Sequence, residues 1–214
     1  NINVDLMSGL PYQTIDSYKT TLKRVCELKP EHISAYSLII EPGTPFFDKY
    51  GSGEETALLP DENEDRNMYA ITKAVLKEHG YERYEISNYA KPGRECRHNI
   101  GYWTGVSYLG LGVGASGYVM NRRFHVEGDY KKYMNIKMQQ DITPLYCDIE
   151  ELDTKANMEE FMFLGLRLIR GVSRHEFNEK FGVDMFEVFD RQIKRNMMLK
   201  LMEYNSPNLR LTEK

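Results

Sequence analysis

The sequence contains few cysteines, and they are far apart. Cys26, Cys96 and Cys147 are the three cysteines in 214 residues, and no Cys-x-x-Cys pair occurs. Disulfide-stabilised small domains and self-contained zinc or iron–sulfur sites need closely spaced cysteines, so the sequence argues against both. Scattered free cysteines are typical of a reducing compartment, and we therefore predict a cytoplasmic protein.

The sequence also lacks an excess of positive charge. Its formal net charge is −4 at pH 7, which provides no general attraction to nucleic acids or acidic membranes. Basic and acidic residues are almost equally frequent in residues 153–214, where the helices could otherwise form a DNA-reading helix-turn-helix. Since a DNA-reading domain carries a basic footprint, we predict no nucleic-acid partner and a packing or lid role for these helices.

From Asn99 to Asn121 the sequence has no charged residue and is rich in glycine. A stretch of roughly 20 apolar residues is long enough for a membrane helix. The Gly-x-Gly-x-Gly spacing at residues 110–114 instead favours strands that another backbone approaches closely. We therefore predict buried strands and turns over residues 98–117, which bring the polar residues 96–99 onto an apolar wall.

Strand and helix patterns alternate along the first ninety residues. Apolar runs at residues 2–10, 32–40 and 84–87 predict strands, and the segments between them repeat apolar residues at helical spacing. This order is typical of parallel βα units, in an open sheet or in a barrel. Functional residues of such folds gather where strands end, and Asp5 and Glu41 lie on or just after predicted strands.

After about residue 148 the pattern becomes mostly helical. Asp153 or Thr154 is predicted to cap one helix, and Ser173 and Asp184, each followed three residues later by Glu, are predicted to begin two more. A turn and a short strand at residues 209–212 complete a small, winged-helix-like arrangement. The predicted domains are residues 1–147 and 148–214.

Two residues of the predicted strands allow both a structural and a functional interpretation. Asp5 lies inside an apolar strand, where an unpaired charge is costly. Pairing with a neighbouring backbone group or an Arg explains it slightly better than hydrogen bonding to ligand hydroxyls at the mouth of a barrel. Tyr36 could stack on a flat ligand, although a tyrosine in a buried strand usually belongs to the core.

His98 is the best single candidate for a functional residue. Its imidazole could bind iron or act as an acid–base group near neutral pH, and Cys96 is a second possible soft ligand. Two ligands do not complete a metal site, which usually takes four. The adjacent Tyr102 and Trp103 could hold a large flat ligand. From the residues alone, a structural histidine remains the simpler interpretation.

Several long motifs follow one another along the sequence. They are Asn3-x-Asp5-Leu6-x-x-Gly9-Leu10-Pro11 with Gln13-Thr14, residues 32–38, residues 41–45, and residues 84–99. These motifs resemble the radical S-adenosylmethionine family of oxygen-independent coproporphyrinogen III oxidase (HemN). The resemblance covers nearly the whole chain, and it implies part of a (β/α) barrel followed by a smaller, mostly helical C-terminal domain.

Within that family, His98-Asn99-x-x-Tyr102-Trp103 resembles the motif of the haem chaperone branch (HemW), whose histidine is implicated in haem binding. The resemblance implies that His98 ligates haem iron and that Asn99, Tyr102 and Trp103 belong to the haem motif. It reverses the structural interpretation of His98. The positions that it assigns to S-adenosylmethionine are Asp5 and, around the adenine, Tyr36 and Ile39.

The family's Cys-x-x-x-Cys-x-x-Cys motif, whose thiolates hold a 4Fe–4S cluster, is absent from the sequence. The chain therefore resembles the C-terminal half or more of such a protein, without the front strands of the barrel. We expect no radical chemistry from it alone and assign no catalytic residue. Because half a barrel leaves sheet edges uncovered, we also expect pairing with another copy.

Two functions follow from the resemblance. In the first, the parent protein is a haem chaperone that transfers haem to acceptor proteins, such as respiratory enzymes at the membrane. The cluster and S-adenosylmethionine would then regulate rather than oxidise. In the second, the parent oxidatively decarboxylates coproporphyrinogen III to protoporphyrinogen IX in porphyrin biosynthesis. The motif at residues 98–103 favours the chaperone.

Overall fold

The computed structural model describes residues 1–51, 53–136 and 143–213. The chain divides into two compact units, Asn1–Cys96 and Arg97–Lys214. Each unit has its own hydrophobic core. The predicted domain boundary after residue 147 stays a prediction.

The first unit is built around a four-stranded sheet in the order β1-β2-β4-β3. Strands β1 (Asn3–Ser8) and β2 (His32–Ser37) run parallel, and helix α1 (Ile15–Glu27) connects them. Strand β4 pairs antiparallel with both β2 and β3. The remaining elements of this unit are α2 (Pro45–Tyr50), a 3-10 helix (Glu54–Leu58), α3 (Glu62–Glu78), β3 (Glu82–Arg83) and β4 (Asn88–Ala90).

The prediction of a strand over residues 84–87 is wrong in its bounds. These residues connect β3 to β4, so the chain reverses where a continuous strand was expected. The buried Glu85 carboxylate accepts a hydrogen bond from the Ser87 amide at 2.9 Å. This contact between residues two apart stabilises a turn rather than an extended strand.

Side-chain alternation gives the first sheet one apolar and one polar face. Leu6 and Ile33 are buried in a core with residues of α1 and α3. Helix α1 begins after its Thr14 cap and buries Tyr18 and Leu22. The opposite face carries the polar residues Asn3, Asp5, His32 and Ser34, which are neighbours in the β1–β2 register.

The predicted α/β fold class is confirmed. Within residues 1–51, 53–136 and 143–213, the strands form open sheets and no closed barrel. No helix among these residues is both long and apolar enough to cross a membrane. Within the charge-free stretch, residues 99–103 alone are helical, and the remainder forms turns and short strands.

The prediction of buried strands over residues 98–117 is also wrong. The segment begins with helix α4 (Arg97–Trp103) and continues as a glycine-rich loop to strand β5 (Ser116–Val119). Leu111 in this loop is 82% exposed. The expected close backbone approach does occur at Gly110, where a Cβ atom would lie 2.1 Å from the carbonyl oxygen of Ser116.

The second unit continues with two antiparallel sheets and a helical core. Its first sheet has the order β5-β6-β7 and its second the order β8-β10-β9. Phe177, Met185, Ile193 and Leu209 are almost fully buried between the helices and the second sheet. The elements that follow β5 are β6 (Arg122–Val126), α5 (Tyr130–Asn135), a 3-10 helix (Thr143–Leu145), β7 (Tyr146–Glu151), α6 (Thr154–Gly165), β8 (Val172–Ser173), α7 (Arg174–Phe181), α8 (Met185–Val188), α9 (Asp190–Met198), β9 (Met202–Asn205) and β10 (Asn208–Leu211).

The predicted helix starts of this unit are confirmed. Asp153, rather than Thr154, caps α6 by accepting a hydrogen bond from the Ala156 amide. Ser173 caps α7 and Asp184 caps α8 in the same manner. The helix predicted to begin at Asp184 is divided into α8 and α9.

Candidate functional site

Helix α4 places His98 and Tyr102 on one side of the second unit. Residues four apart lie on the same face of an α-helix, and the two ring centroids are 4.6 Å apart at an interplanar angle of 73°. His98 is exposed to solvent. Within the described part of the chain, neither of its ring nitrogens has a hydrogen-bond partner. Its imidazole is therefore held by an edge-to-face contact and has its nitrogens available to a ligand.

A row of tyrosines leads from His98 into the unit. Tyr102 packs edge to face on Tyr108 with centroids 4.7 Å apart, and Tyr108 lies 6.5 Å from Tyr118. The backbones of Tyr108 and Tyr118 exchange two hydrogen bonds of 2.8 Å. The Tyr118 hydroxyl donates to the Asn157 amide oxygen at 3.1 Å, and burial raises the pKa of Tyr118. The far end of the row is thus fixed by buried polar contacts.

Trp103 lies beside Tyr102 and carries a cation on its ring. The Arg167 guanidinium is 4.3 Å from the ring centroid, within the range of a cation–π contact. The indole Nε1 of Trp103 and the Nε of Arg167 are both buried without a hydrogen-bond partner in the part of the chain that the structure describes. These are two donors that a bound polar group could satisfy.

Tyr102 and Trp103 line a cavity of about 220 Å³ in the second unit. Arg123 and Glu160 also line it, and they form a two-pronged ion pair with contacts of 2.9 and 3.0 Å. Most of the remaining wall is apolar or aromatic, as in typical small-molecule sites. The aromatic residues of the wall are Tyr102, Trp103, Tyr108, Tyr118 and Phe161.

Lys180 completes the charged groups of the cavity. Its ammonium lies over the rings of Phe161 and Phe181, at 5.3 and 5.5 Å from their centroids. Much of the side chain is exposed, yet desolvation of the ammonium lowers the pKa of Lys180. Sequence reasoning identified Tyr102 and Trp103 but missed Arg123, Glu160 and Lys180, since no local pattern connects these distant positions.

The residues assigned to S-adenosylmethionine lie on the first unit. Asp5 is exposed on β1 and accepts a hydrogen bond from the Asn3 side-chain amide at 2.7 Å. Tyr36 is 42% exposed and Ile39 is 75% exposed, so the core interpretation of Tyr36 is wrong. In the parallel register Tyr36 lies beside Met7 on the sheet face that α1 and α3 do not cover. The structure therefore places these residues on or after two adjacent strands and leaves them accessible.

His32, which the sequence analysis did not single out, occupies the centre of the polar face. Its Nδ1 lies 2.7 Å from the Asn3 amide oxygen, and its Nε2 lies 2.9 Å from the Tyr84 hydroxyl. Burial lowers the pKa of His32 and outweighs the opposing effect of Asp5 and other nearby carboxylates. The Tyr84 hydroxyl also accepts a hydrogen bond from the Cys96 amide at 3.4 Å.

The chain's cysteines do not converge on a metal site. Cys26, Cys96 and Cys147 are free. Over residues 1–51, 53–136 and 143–213, no group of three or more His, Cys, Asp or Glu side chains is arranged to hold a metal ion. The described residues therefore do not provide the ligands that an iron–sulfur cluster needs.

The chain matches one family model and several curated proteins. Residues 152–214 match the family model of the HemN C-terminal domain. The heme chaperone HemW of Bacillus subtilis (strain 168) is 39% identical over 194 residues, which cover 91% of this chain and 50% of that protein. HemW of Lactococcus lactis subsp. lactis (strain IL1403) is 35% identical over 214 residues, covering 100% and 55%. The chain thus spans about half the length of the curated relatives it matches.

One solved structure shares the fold of the chain. It is coproporphyrinogen III oxidase (HemN) from Escherichia coli, described as a radical SAM enzyme. The TM-score is 0.76 at 21% sequence identity, and the match covers 99% of this chain and 51% of the solved chain. At this level of identity the match shows a common fold only.

Proposed function

Because the chain belongs to the HemN and HemW family, we propose that it is part of a haem chaperone, a protein that binds haem and transfers it to acceptor proteins. The matches to heme chaperones at 39% and 35% identity support this proposal. The likeness to coproporphyrinogen III oxidase at 21% identity extends to the fold and does not favour the oxidase reaction.

The observation that carries the proposal is the accessible imidazole of His98 beside an aromatic cavity. Imidazole nitrogen is a common protein ligand of haem iron. In this chain the His98 ring contacts Tyr102, and Tyr102 in turn lines the cavity. Aromatic rings pack well on a flat apolar macrocycle. We therefore assign His98 as the iron ligand, with Tyr102 and Trp103 as packing surfaces and Asn99 as a neighbouring residue on α4.

An exposed ligand suits transfer better than permanent retention. A resident haem is normally enclosed, whereas His98 lies at the surface and α4 has no fully buried residue. A single iron ligand on a short surface helix allows an acceptor to approach the other face of the haem. The chain's own residues would bind and orient the haem, and an acceptor with its own ligand would remove it.

In the intact protein we further propose that S-adenosylmethionine binds at the polar face of the first sheet. The exposed Asp5 carboxylate and the exposed ring of Tyr36 fit a polar, aromatic ligand of this type. The described residues do not fit a 4Fe–4S cluster, so its ligands would come from outside this chain. When bound, S-adenosylmethionine and the cluster would supply redox or regulatory chemistry that Asp5 and Tyr36 do not perform alone.

Titration with haemin tests the proposal. We expect the chain to bind haemin saturably with a shift of the Soret band, and we expect His98→Ala to lose that shift. His175→Ala is the matched control, because His175 is an exposed histidine of the same unit that pairs with Glu179 at 3.5 Å. Equal binding by His98→Ala and the unmodified chain would remove His98 as the ligand.

A further inference from the structure

The ion pairing around the cavity leaves one cation of the described residues without a direct contact to a carboxylate. Arg123 and Glu160 neutralise each other through two contacts. Among the described residues, Lys180 has no direct ion pair or hydrogen bond, and its ammonium lies over two phenylalanine rings. The Glu160 carboxylate attracts this ammonium without contacting it, because both of its oxygens are bound to Arg123. The charged groups that line the cavity therefore sum to one net positive charge, which belongs to Lys180.

The two rings attract the Lys180 ammonium but offer it no hydrogen-bond acceptor. The rings replace part of its hydration shell, and this loss is the reason for the lowered pKa of Lys180. A carboxylate would restore the lost interaction through a charge-assisted hydrogen bond. The surrounding rings favour a ligand whose carboxylate is attached to a flat apolar body.

The size of the cavity limits how much of such a ligand it can take. Pockets that enclose a drug-sized molecule occupy roughly 300–1,000 Å³, whereas this cavity measures about 220 Å³. It is therefore suited to one edge of a large macrocycle. The opposite edge would remain outside the cavity, toward the exposed surface where His98 lies.

We propose that Lys180 binds a carboxylate side chain of a porphyrin, whose edge enters the cavity between Tyr102, Trp103 and Phe161. This assignment rests on the proposed haem-binding function and specifies the part of the ligand that is recognised. Lys180 makes no contact with the iron. Its role is to select carboxylated tetrapyrroles and to fix their orientation relative to His98.

Trp103 provides the measurement, because it is the one tryptophan of the chain and it lines the cavity. Metal-free protoporphyrin IX would be titrated while the quenching of Trp103 fluorescence is followed. We expect Lys180→Gln to raise the dissociation constant about tenfold, as loss of one charge-assisted hydrogen bond does. Lys155→Gln, a change of an exposed lysine on α6, should bind as the unmodified chain does.

The dimethyl ester of protoporphyrin IX gives a second test that needs no variant. With both carboxylates esterified, it should bind the unmodified chain about tenfold more weakly than the free acid does. Lys180→Gln should not weaken ester binding further. The proposal is overturned if ester and acid bind equally, if Lys180→Gln binds the acid normally, or if no porphyrin quenches Trp103.

The two tests separate this inference from the proposed function. Metal-free protoporphyrin cannot report iron ligation, so Lys180-dependent quenching without a His98-dependent Soret shift would retain the carboxylate site and overturn His98 as ligand. A His98-dependent Soret shift without any effect of Lys180→Gln would retain the haem chaperone and overturn the carboxylate site.

Discussion

Gly110 shows how one residue constrains the loop behind the candidate site. A Cβ atom at this position would meet the Ser116 carbonyl oxygen at 2.1 Å and its carbonyl carbon at 2.6 Å. Both atoms belong to the backbone, so a rotamer change cannot relieve the contact. The loop can follow its path past Ser116 only with glycine at residue 110.

We therefore expect Gly110→Ala to lower the free energy of unfolding by roughly 1–3 kcal/mol, the usual cost of forcing an extra methyl group into a packed site. Gly128→Ala is the control, because a Cβ atom there meets nothing within 4 Å. Urea denaturation of the two variants measures the difference. Equal stability of Gly110→Ala and Gly128→Ala would show that the loop does not take this path.

Single residues also show where sequence reasoning failed. From the residues alone Tyr36 is predicted to belong to the core, because tyrosines in apolar strands usually do, yet it is 42% exposed. It follows Ser34 by two residues and so shares the polar face of the sheet. Helices α1 and α3 cover the other face of the sheet. These contacts join distant positions, so no local sequence pattern shows which face is covered.

Helix α7 connects the hydrophobic core of the second unit to its cavity. Phe177 on this helix is fully buried in the core, and Lys180, one turn later, lines the cavity. The helix begins at Ser173, whose hydroxyl accepts a hydrogen bond from the Glu176 amide at 3.2 Å. The position of Lys180 therefore depends on a helix that its cap helps to stabilise.

Removing this cap should destabilise the second unit. Ser173→Ala is expected to cost about 1 kcal/mol, because an amide at the helix start loses its acceptor. Thr154→Ala is the control, since Thr154 is the first residue of α6 and Asp153 already supplies that cap. Chemical denaturation measures both changes. Equal stability of Ser173→Ala and Thr154→Ala would contradict a stabilising role of the Ser173 cap.

Local signals predicted the starts of helices better than their extents. Ser173 and Asp184 both cap helices as expected, because a cap depends on residues two or three positions away. The division after α8 was not predicted. Phe189 there adopts a φ of −113° and packs against Phe177, a contact between distant positions.

In the first unit a hydrogen-bond network around His32 joins separate strands. The network links Asn3 of β1, His32 of β2 and Tyr84 in the connection from β3 to β4. Asn3 donates to Asp5 through its amide nitrogen, so its oxygen faces the His32 Nδ1–H. In the neutral form of His32 the Tyr84 hydroxyl donates to Nε2, and burial favours this neutral form.

This network predicts a pH dependence of stability. The folded-state pKa of His32 lies below its usual value of 6.5, so between these two values the unfolded chain binds more protons than the folded chain. The free energy of unfolding should therefore fall as pH decreases below about 6.5. Denaturation from pH 7.5 to 5.0 measures this loss.

The His32→Asn variant should reduce that pH dependence, because it removes the titrating group. His175→Asn is the control, since His175 is exposed and should leave the slope unchanged. If the free energy of unfolding of His32→Asn falls with decreasing pH as steeply as that of the unmodified chain, the pH dependence belongs to other groups.

Across the whole molecule, the sequence motifs predicted the family and the α/β class but not the composition of the site. His98, Tyr102 and Trp103 lie within one six-residue segment, so a local sequence motif identifies them. Arg123 and Lys180 reach the same cavity from β6 and α7, which only the tertiary fold brings together. A site assembled over such distances has no local sequence pattern.

The most direct test of the central claim is the vibrational spectrum of the ferrous haem complex. If His98 ligates the iron, resonance Raman spectroscopy should show an iron–imidazole stretching band that shifts when histidine is labelled with nitrogen-15. The band should be absent in His98→Ala and retained in His175→Ala. An unchanged band in His98→Ala would contradict the assignment of His98 as the haem ligand.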